Sequence, residues 1–161
     1  MELFARFNAL LNRGVEGLLA VFGMTMAATV AVQVIFRYLF NNSLFWSEEV
    51  ARYLLVWLTF LGAAAAYYRG AHPGIDVLSS RLGPGLRRAK TIAVHLVCLA
   101  FFLVMIWQGA VFSHFVRLQT SPSLVLPMWL VVLAIPIGGA ILSCHCLLFL
   151  LQDLCGGRHD R

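Results

Sequence analysis

Two cations and two carboxylates lie between two of the most apolar segments of the chain, in the stretch FRYLFNNSLFWSEEVARYL. Glu48 and Arg52 are four residues apart and Glu49 and Arg52 are three apart, so both pairs can meet on one face of a helix. Ser47 is a suitable N-cap for that helix, and Arg37 ends the preceding apolar segment. The four charges sum to zero, and we predict an ionic brace that joins two helix ends. The alternative is that one or two of these groups face outward and dock a partner.

Three histidines, His95, His114 and His145, lie in or near apolar segments. Two histidines on facing helices could ligate a haem iron, and only His95 and His145 are expected at similar depth. The chain has no CxxCH motif, so we favour hydrogen-bonded or interfacial histidines over haem ligands. It also has no HExxH motif, no P-loop and no recognisable nucleophile–base pair. We therefore expect no enzymatic activity, no metal site and no cofactor.

The composition is that of a membrane protein. Of the 161 residues, 61% are hydrophobic and only 12% are charged, whereas a soluble domain carries about 25% charged residues. A membrane-spanning helix needs about 20 predominantly apolar residues. The sequence predicts an all-α fold, a single membrane domain over residues 1–161 with spans at about 15–38, 48–68, 91–113 and 127–151.

The distribution of cations predicts that both termini are cytoplasmic, because the side of the membrane that is rich in Lys and Arg stays inside the cell. The N-terminus, the second loop and the tail hold most of the cations, against Arg37, Arg52 and Arg117 on the other side. The net charge of +5 indicates attraction to membrane lipids with anionic headgroups, and no binding to nucleic acid. In the second loop, residues 73–82 have the pattern of a short amphipathic helix in the cytoplasmic interface. Its candidate functional residues are His72, Asp76 and Arg81.

Small residues at positions i and i+4 in spans two and four allow helices to approach closely. Pro136 lies in the same run and is expected to kink span four. The packing partner is either this chain's own bundle or another membrane subunit, and the sequence leaves both open. The candidate packing residues are Gly62, Ala66, Pro136, Gly138, Gly139 and Ser143, and the candidate interface anchors are Trp46 and Trp129.

Three segments together carry a family pattern: FRYLF, WSEEVARYLLVWLTFLGAAAAYYRGAHPGIDVL and QTSPSLVLPMWLVVLAIPIGG. They resemble the small permease subunit, the DctQ-like Q component, of tripartite ATP-independent periplasmic (TRAP) transporters. The resemblance covers most of the chain, and the ordered set of motifs is more specific than any single one. Leu133, where many members have an aromatic residue, and the Pro73-Gly74 pair depart from the pattern.

The resemblance implies a subunit of the bacterial inner membrane that works with a separate large permease subunit of the M type. That large subunit would hold the sodium and substrate sites, so no sodium site is expected in this chain. A periplasmic substrate-binding protein would deliver an organic acid for sodium-coupled symport. The small subunit would brace the fixed scaffold of the large subunit. The charged corner, formed by Arg37, Glu48, Glu49 and Arg52, would lie within reach of the binding protein.

Two other functions remain alternatives at the level of sequence. The intramembrane histidines suggest a haem- or quinone-binding membrane anchor of a respiratory enzyme. A protein of only four membrane-spanning helices could also be a small homodimeric exporter, although the spans contain no acidic residue for proton coupling. Neither alternative accounts for the ordered set of motifs.

Overall fold

The computed structural model describes residues 2–70 and 84–154. These residues form helices and connecting loops, with one isolated β-bridge between Thr120 and Pro127. The helices are α1 (Glu2–Leu39), α2 (Phe45–Tyr68), α3 (Pro84–Phe115), α4 (Trp129–Val132) and α5 (Ala134–Leu154). The predicted interfacial helix at 73–82, with His72, Asp76 and Arg81, lies outside the described residues.

Four helical segments are long and apolar enough to cross a membrane. They are Glu2–Leu39, Phe45–Tyr68, Ala89–Phe115 and Trp129–Leu154, the last of which combines α4 and α5. This confirms the predicted all-α fold with four membrane-spanning helices. Each predicted span overlaps one of these segments.

The first helix begins well before its apolar span, which was predicted to start at about residue 15. At a rise of about 1.5 Å per residue, its 38 residues extend about 57 Å, much more than the hydrocarbon core of about 30 Å. The additional turns are not isolated, because Asn8, Asn12 and Val15 are buried and Phe4 and Ala5 pack against the core. Tertiary packing therefore extends the helix beyond the part that hydropathy identifies.

The core lies where α2, α3 and α5 converge. The rings of Tyr67, Phe102 and Phe149 meet there: Tyr67 and Phe102 are edge to face with centroids 5.6 Å apart, and Tyr67 and Phe149 are stacked at 5.8 Å. Aromatic pairs at such separations contribute about 0.5–1.5 kcal/mol beyond the burial of their area. A second cluster of Val15, Leu61 and Ala65 joins α1 to α2.

The fourth span is interrupted between α4 and α5. Leu133 forms a turn there, three residues before Pro136. Proline has no backbone N–H, and its ring clashes with the carbonyl group four residues earlier, which here belongs to Val132. The neighbouring bonds from Leu133 N to Trp129 O (2.9 Å) and from Ile137 N to Leu133 O (3.1 Å) are retained, so the helical direction continues across the break.

Candidate functional site

Helix α2 begins at Phe45, two residues before the predicted N-cap. Leu44 is the N-cap residue and makes no side-chain capping hydrogen bond. Ser47 lies inside the first turn, where its hydroxyl donates to the carbonyl oxygen of Leu44 at 2.6 Å. The prediction that Ser47 caps the helix was wrong, because the chain already turns at Asn41, whose φ is 50°, and the helix starts sooner.

Glu49 holds the loop that connects α3 to α4. Its Oε1 accepts the backbone N–H of Ser123 and its Oε2 accepts that of Leu124, both at 3.0 Å. The residue is only 9% exposed. Hydrogen bonds to an ionised carboxylate are about twice as strong as neutral ones, so Glu49 is a strong clamp between the start of span two and the loop before span four.

The loop that Glu49 holds, residues 116–128, is called the clamped loop, and it is compact. Ser121 N donates to Leu126 O at 2.9 Å, and Met128 N donates to Gln119 O at 2.9 Å. At its tip, Val125 has a φ of 53° and is 69% exposed. A β-branched residue in the left-handed region is strained and persists only where surrounding contacts fix the backbone. The Glu49 carboxylate and the Ser121 hydroxyl, which accepts the N–H of Leu126 at 3.3 Å, supply such contacts.

Glu48 contacts the first span instead of the loop. Its Oε1 accepts a hydrogen bond from Nε2 of Gln33 at 3.2 Å. Within residues 2–70 and 84–154, neither Arg37 nor Arg52 forms an ion pair, and both are exposed. The described corner residues therefore do not form the predicted ionic brace: the two carboxylates contact different elements, and the two guanidinium groups stay at the surface, with the charge of Arg52 acting on Glu49 without an ion pair.

An ion pair joins α1 to the opposite end of α2. Nη2 and Nε of Arg69 donate to Oε1 of Glu16 at 2.8 and 3.1 Å, and Nδ2 of Asn12 donates to the same oxygen at 2.7 Å. The Arg69 side chain is 66% exposed, so solvent screens the pair and its contribution to stability is small. The sequence reading missed this pair, because Glu16 and Arg69 are far apart along the chain.

His95 and His145 are buried and contact side chains of this chain. Nδ1 of His95 lies 3.0 Å from Tyr67 Oη, and its Nε2 lies 3.2 Å from a carboxylate oxygen of Asp153. Both ring nitrogens of His95 thus face protein groups, which gives no support to a role as haem ligand. The sequence reading missed Tyr67 and Asp153 as partners, because an aromatic residue and a single acid at a helix end are common packing and surface features.

The contact of His145 fixes its tautomer. Asn8 Nδ2 donates to the carbonyl oxygen of Phe4 at 3.1 Å, so its Oδ1 is the acceptor that faces His145 Nδ1 at 2.7 Å. His145 Nδ1 therefore carries the proton. This bond ties the N-terminal turns of α1 to α5.

The small residues of span four contact neighbouring helices of the same bundle. A Cβ atom added at Gly138 would lie 2.8 Å from Cβ of Phe60 on α2, and one at Gly139 would lie 3.1 Å from Cγ1 of Ile106 on α3. Gly62 has more room, since its nearest neighbour would be Leu19 Cδ2 at 3.9 Å. Ala66 and Ser143 are partly buried. Close approach at Gly138 and Gly139 thus serves packing inside this chain.

The two tryptophans that were predicted to anchor the interface are both exposed in part. Trp46 is 44% exposed beside the Glu49 corner, and Trp129 is 36% exposed at the start of α4. The backbone carbonyl of Trp129 accepts a hydrogen bond from Ser113 Oγ at 3.3 Å. Both rings therefore lie at the end of the bundle that carries the clamped loop.

The sequence of the chain matches a known transporter family. The family described as "Tripartite ATP-independent periplasmic transporters, DctQ component" matches residues 26–156, a segment that includes Glu49, the clamped loop and the glycines of span four.

Curated relatives show the same similarity. The C4-dicarboxylate TRAP transporter small permease protein DctQ of Rhodobacter capsulatus is 35% identical over 133 residues, which are 74% of this chain and 53% of that protein. The ectoine TRAP transporter small permease protein TeaB of Halomonas elongata is 28% identical over 139 residues, 85% of this chain and 72% of that protein. The isethionate TRAP transporter permease protein DctMQ of Oleidesulfovibrio alaskensis is 27% identical over 113 residues, 69% of this chain and 17% of that protein.

The chain spans about half the length of the Rhodobacter capsulatus relative. The resemblance found in the sequence is confirmed, and the protein is a multi-pass membrane component of a transporter and not an enzyme. With a family match that covers most of its length, including all of spans two to four, the chain belongs to the DctQ family of TRAP transporter small permease subunits.

Proposed function

We propose that this chain is the small subunit of a sodium-coupled importer of an organic acid and that it works with a large M-type permease subunit. The observation that carries the proposal is the similarity to the DctMQ permease of Oleidesulfovibrio alaskensis, in which the region like this chain is only 17% of a longer protein. A small subunit that is fused to a much longer permease in one system is a natural partner of a separate permease in another.

The proposed role within the complex is a brace for the fixed scaffold of the large subunit. The helices of this chain pack closely, α2 against α5 through Gly138 and α3 against α5 through Gly139. Its outer surface is strongly apolar, with Val97, Phe101 and Trp107 on α3 each more than half exposed. Such a surface suits contact with lipid and with another membrane subunit.

We place both termini in the cytoplasm of a bacterial inner-membrane protein, with the Glu49 corner facing the periplasm. The cation distribution supports this orientation. The exposed guanidinium groups of Arg37 and Arg52 then lie where a periplasmic substrate-binding protein would approach. Because Glu49 is committed to the clamped loop, docking would use the arginines and structural support would use Glu49.

The proposed substrate class is a small organic acid. C4-dicarboxylate and ectoine, named in two of the relatives, share a carboxylate group. The particular acid would be selected by the binding protein and the large subunit.

Uptake in cells tests this function. Cells that lack the gene for this chain are supplied with the wild type or with an Arg37→Gln/Arg52→Gln variant, and sodium-dependent uptake of radiolabelled carboxylates is measured. The wild type should restore uptake, and the variant should lower it at limiting concentrations of binding protein while excess binding protein restores it. The same uptake with and without this chain would contradict the proposal.

A further inference from the structure

The N-terminal turns of α1 present a cationic face that points away from the bundle. Asn8 and Asn12 are buried against the other helices, whereas Arg6, Leu10 and Arg13 are exposed. With 3.6 residues per turn, these two groups fall on opposite sides of the helix. The outward side of α1 thus combines positive charge with apolar surface at the end of the bundle where the described termini lie.

This face has an open gap between its side chains. Arg6, Ala9, Leu10 and Arg13 line a shallow surface cavity of about 320 Å³. The two arginines are seven residues apart, about 10 Å along the helix axis. Leu10, 68% exposed, lies between them, and Phe7, 54% exposed, lies beside it. Two guanidinium groups therefore flank an apolar floor.

Neither arginine forms an ion pair among the described residues, although the charge of Arg13 acts on the nearby carboxylate of Glu16. Glu16, three residues after Arg13, accepts hydrogen bonds from Arg69 and Asn12. Among the described residues, Glu2 forms no ion pair with Arg6. The cavity is therefore suited to a ligand that is both anionic and partly apolar.

We propose that this face binds an anionic phospholipid, with the phosphate held between Arg6 and Arg13 and an acyl chain lying against Leu10 and Phe7. Guanidinium groups match the geometry of phosphate oxygens and bind them through paired hydrogen bonds. The source is a membrane lipid and not free phosphate, because the apolar floor would have no role with a free ion and the same helix continues into the membrane. The residues that form the site all belong to this chain.

Native mass spectrometry of the full chain, with whatever subunit it retains in mild detergent, tests the site. Phosphatidylglycerol and phosphatidylcholine are titrated in parallel against the wild type and an Arg6→Gln/Arg13→Gln variant. The wild type should prefer phosphatidylglycerol, and the variant should bind it about thirtyfold more weakly, as expected if each of the two lost guanidinium–phosphate contacts contributes about 1 kcal/mol. Binding of phosphatidylcholine, whose choline cation offsets the charge of its phosphate, should weaken less.

Two matched variants serve as controls. Arg6→Lys/Arg13→Lys keeps the charges and should keep most of the preference for phosphatidylglycerol. Arg37→Gln/Arg52→Gln removes the same amount of charge from the other end of the bundle and should keep all of it. A measurement on the wild type alone adds a further check, because higher salt should weaken binding of phosphatidylglycerol more than binding of phosphatidylcholine.

Several outcomes would overturn the proposal. One is a wild type without preference between the two lipids, or with a preference that salt does not affect. Another is an Arg6→Gln/Arg13→Gln variant that retains the preference. Displacement of phosphatidylglycerol by inorganic phosphate at equal concentration would identify an ion site. Loss of a protein partner from the variant with lipid binding intact would identify a subunit interface.

Discussion

Glu49 on the second span accepts the backbone N–H of Leu124, 75 residues later in the chain, at 3.0 Å through Oε2. Its other oxygen accepts the N–H of Ser123 at the same distance. One buried carboxylate therefore fixes the loop that leads into the fourth span relative to the start of the second.

Replacement of Glu49 by Gln should loosen that loop. The amide keeps one acceptor oxygen but places an NH₂ group opposite a backbone N–H, which leaves a buried donor unsatisfied at a cost of about 1–3 kcal/mol. Thermal unfolding of the purified protein and hydrogen exchange of residues 121–126 measure the effect. Glu48→Gln is the matched control and should change stability little, because the single Gln33 contact is exposed. Equal effects of the two variants would contradict the clamp.

Val125→Gly should be neutral or stabilising, by up to about 1 kcal/mol. Val125 has a φ of 53°, which glycine adopts without the steric cost that a β-branched residue has. Little burial is lost, since the side chain is 69% exposed. The midpoint of thermal unfolding is compared with that of Leu126→Gly, which should be destabilised. If Val125→Gly lowered the midpoint temperature as much as Leu126→Gly, the backbone at Val125 would not be strained.

Gly138→Ala should destabilise the bundle by about 1–3 kcal/mol, the usual cost of overpacking. The added Cβ would lie 2.8 Å from Cβ of Phe60, whereas in Gly62→Ala it would have 3.9 Å to Leu19. Gly62→Ala should therefore stabilise α2 slightly, by about 0.5–1 kcal/mol. The free energies of unfolding of the two variants are compared in detergent, since each variant adds one methyl group. A tolerated Gly138→Ala would mean that α2 and α5 are not in close contact there.

Tyr67→Phe should cost about 0.5–1.5 kcal/mol through the lost hydrogen bond to His95, while the ring contacts with Phe102 and Phe149 are kept. Tyr68→Phe is the control next in sequence, because the Tyr68 hydroxyl has no hydrogen-bond partner among the described residues. The free energies of unfolding should differ by that amount. If both variants were equally stable, the Tyr67–His95 contact would not contribute to the fold.

The four membrane-spanning segments could be predicted from hydropathy, because each span is a continuous apolar run that must satisfy its own backbone hydrogen bonds in lipid. The start of α1 could not be predicted in this way, because residues 2–14 contain no long apolar run. Tertiary contacts, such as the hydrogen bond between Asn8 and His145, order these residues instead.

The contacts of the charged corner also could not be predicted from the sequence. Local spacing pairs Glu49 with Arg52, but the carboxylate instead satisfies two amides of a distant loop. A backbone N–H is present at nearly every position and leaves no signal in a sequence. Neither Arg37 nor Arg52 forms an ion pair among the described residues, and both remain at the surface.

Affinity purification of this chain from native membranes in mild detergent, with mass identification of what accompanies it, tests the proposed function most directly. A stoichiometric permease of many spans is the result that the small-subunit role predicts. A chain that purifies alone from membranes in which the transporter is expressed, as a homodimer or with a haem absorption band, would contradict that role.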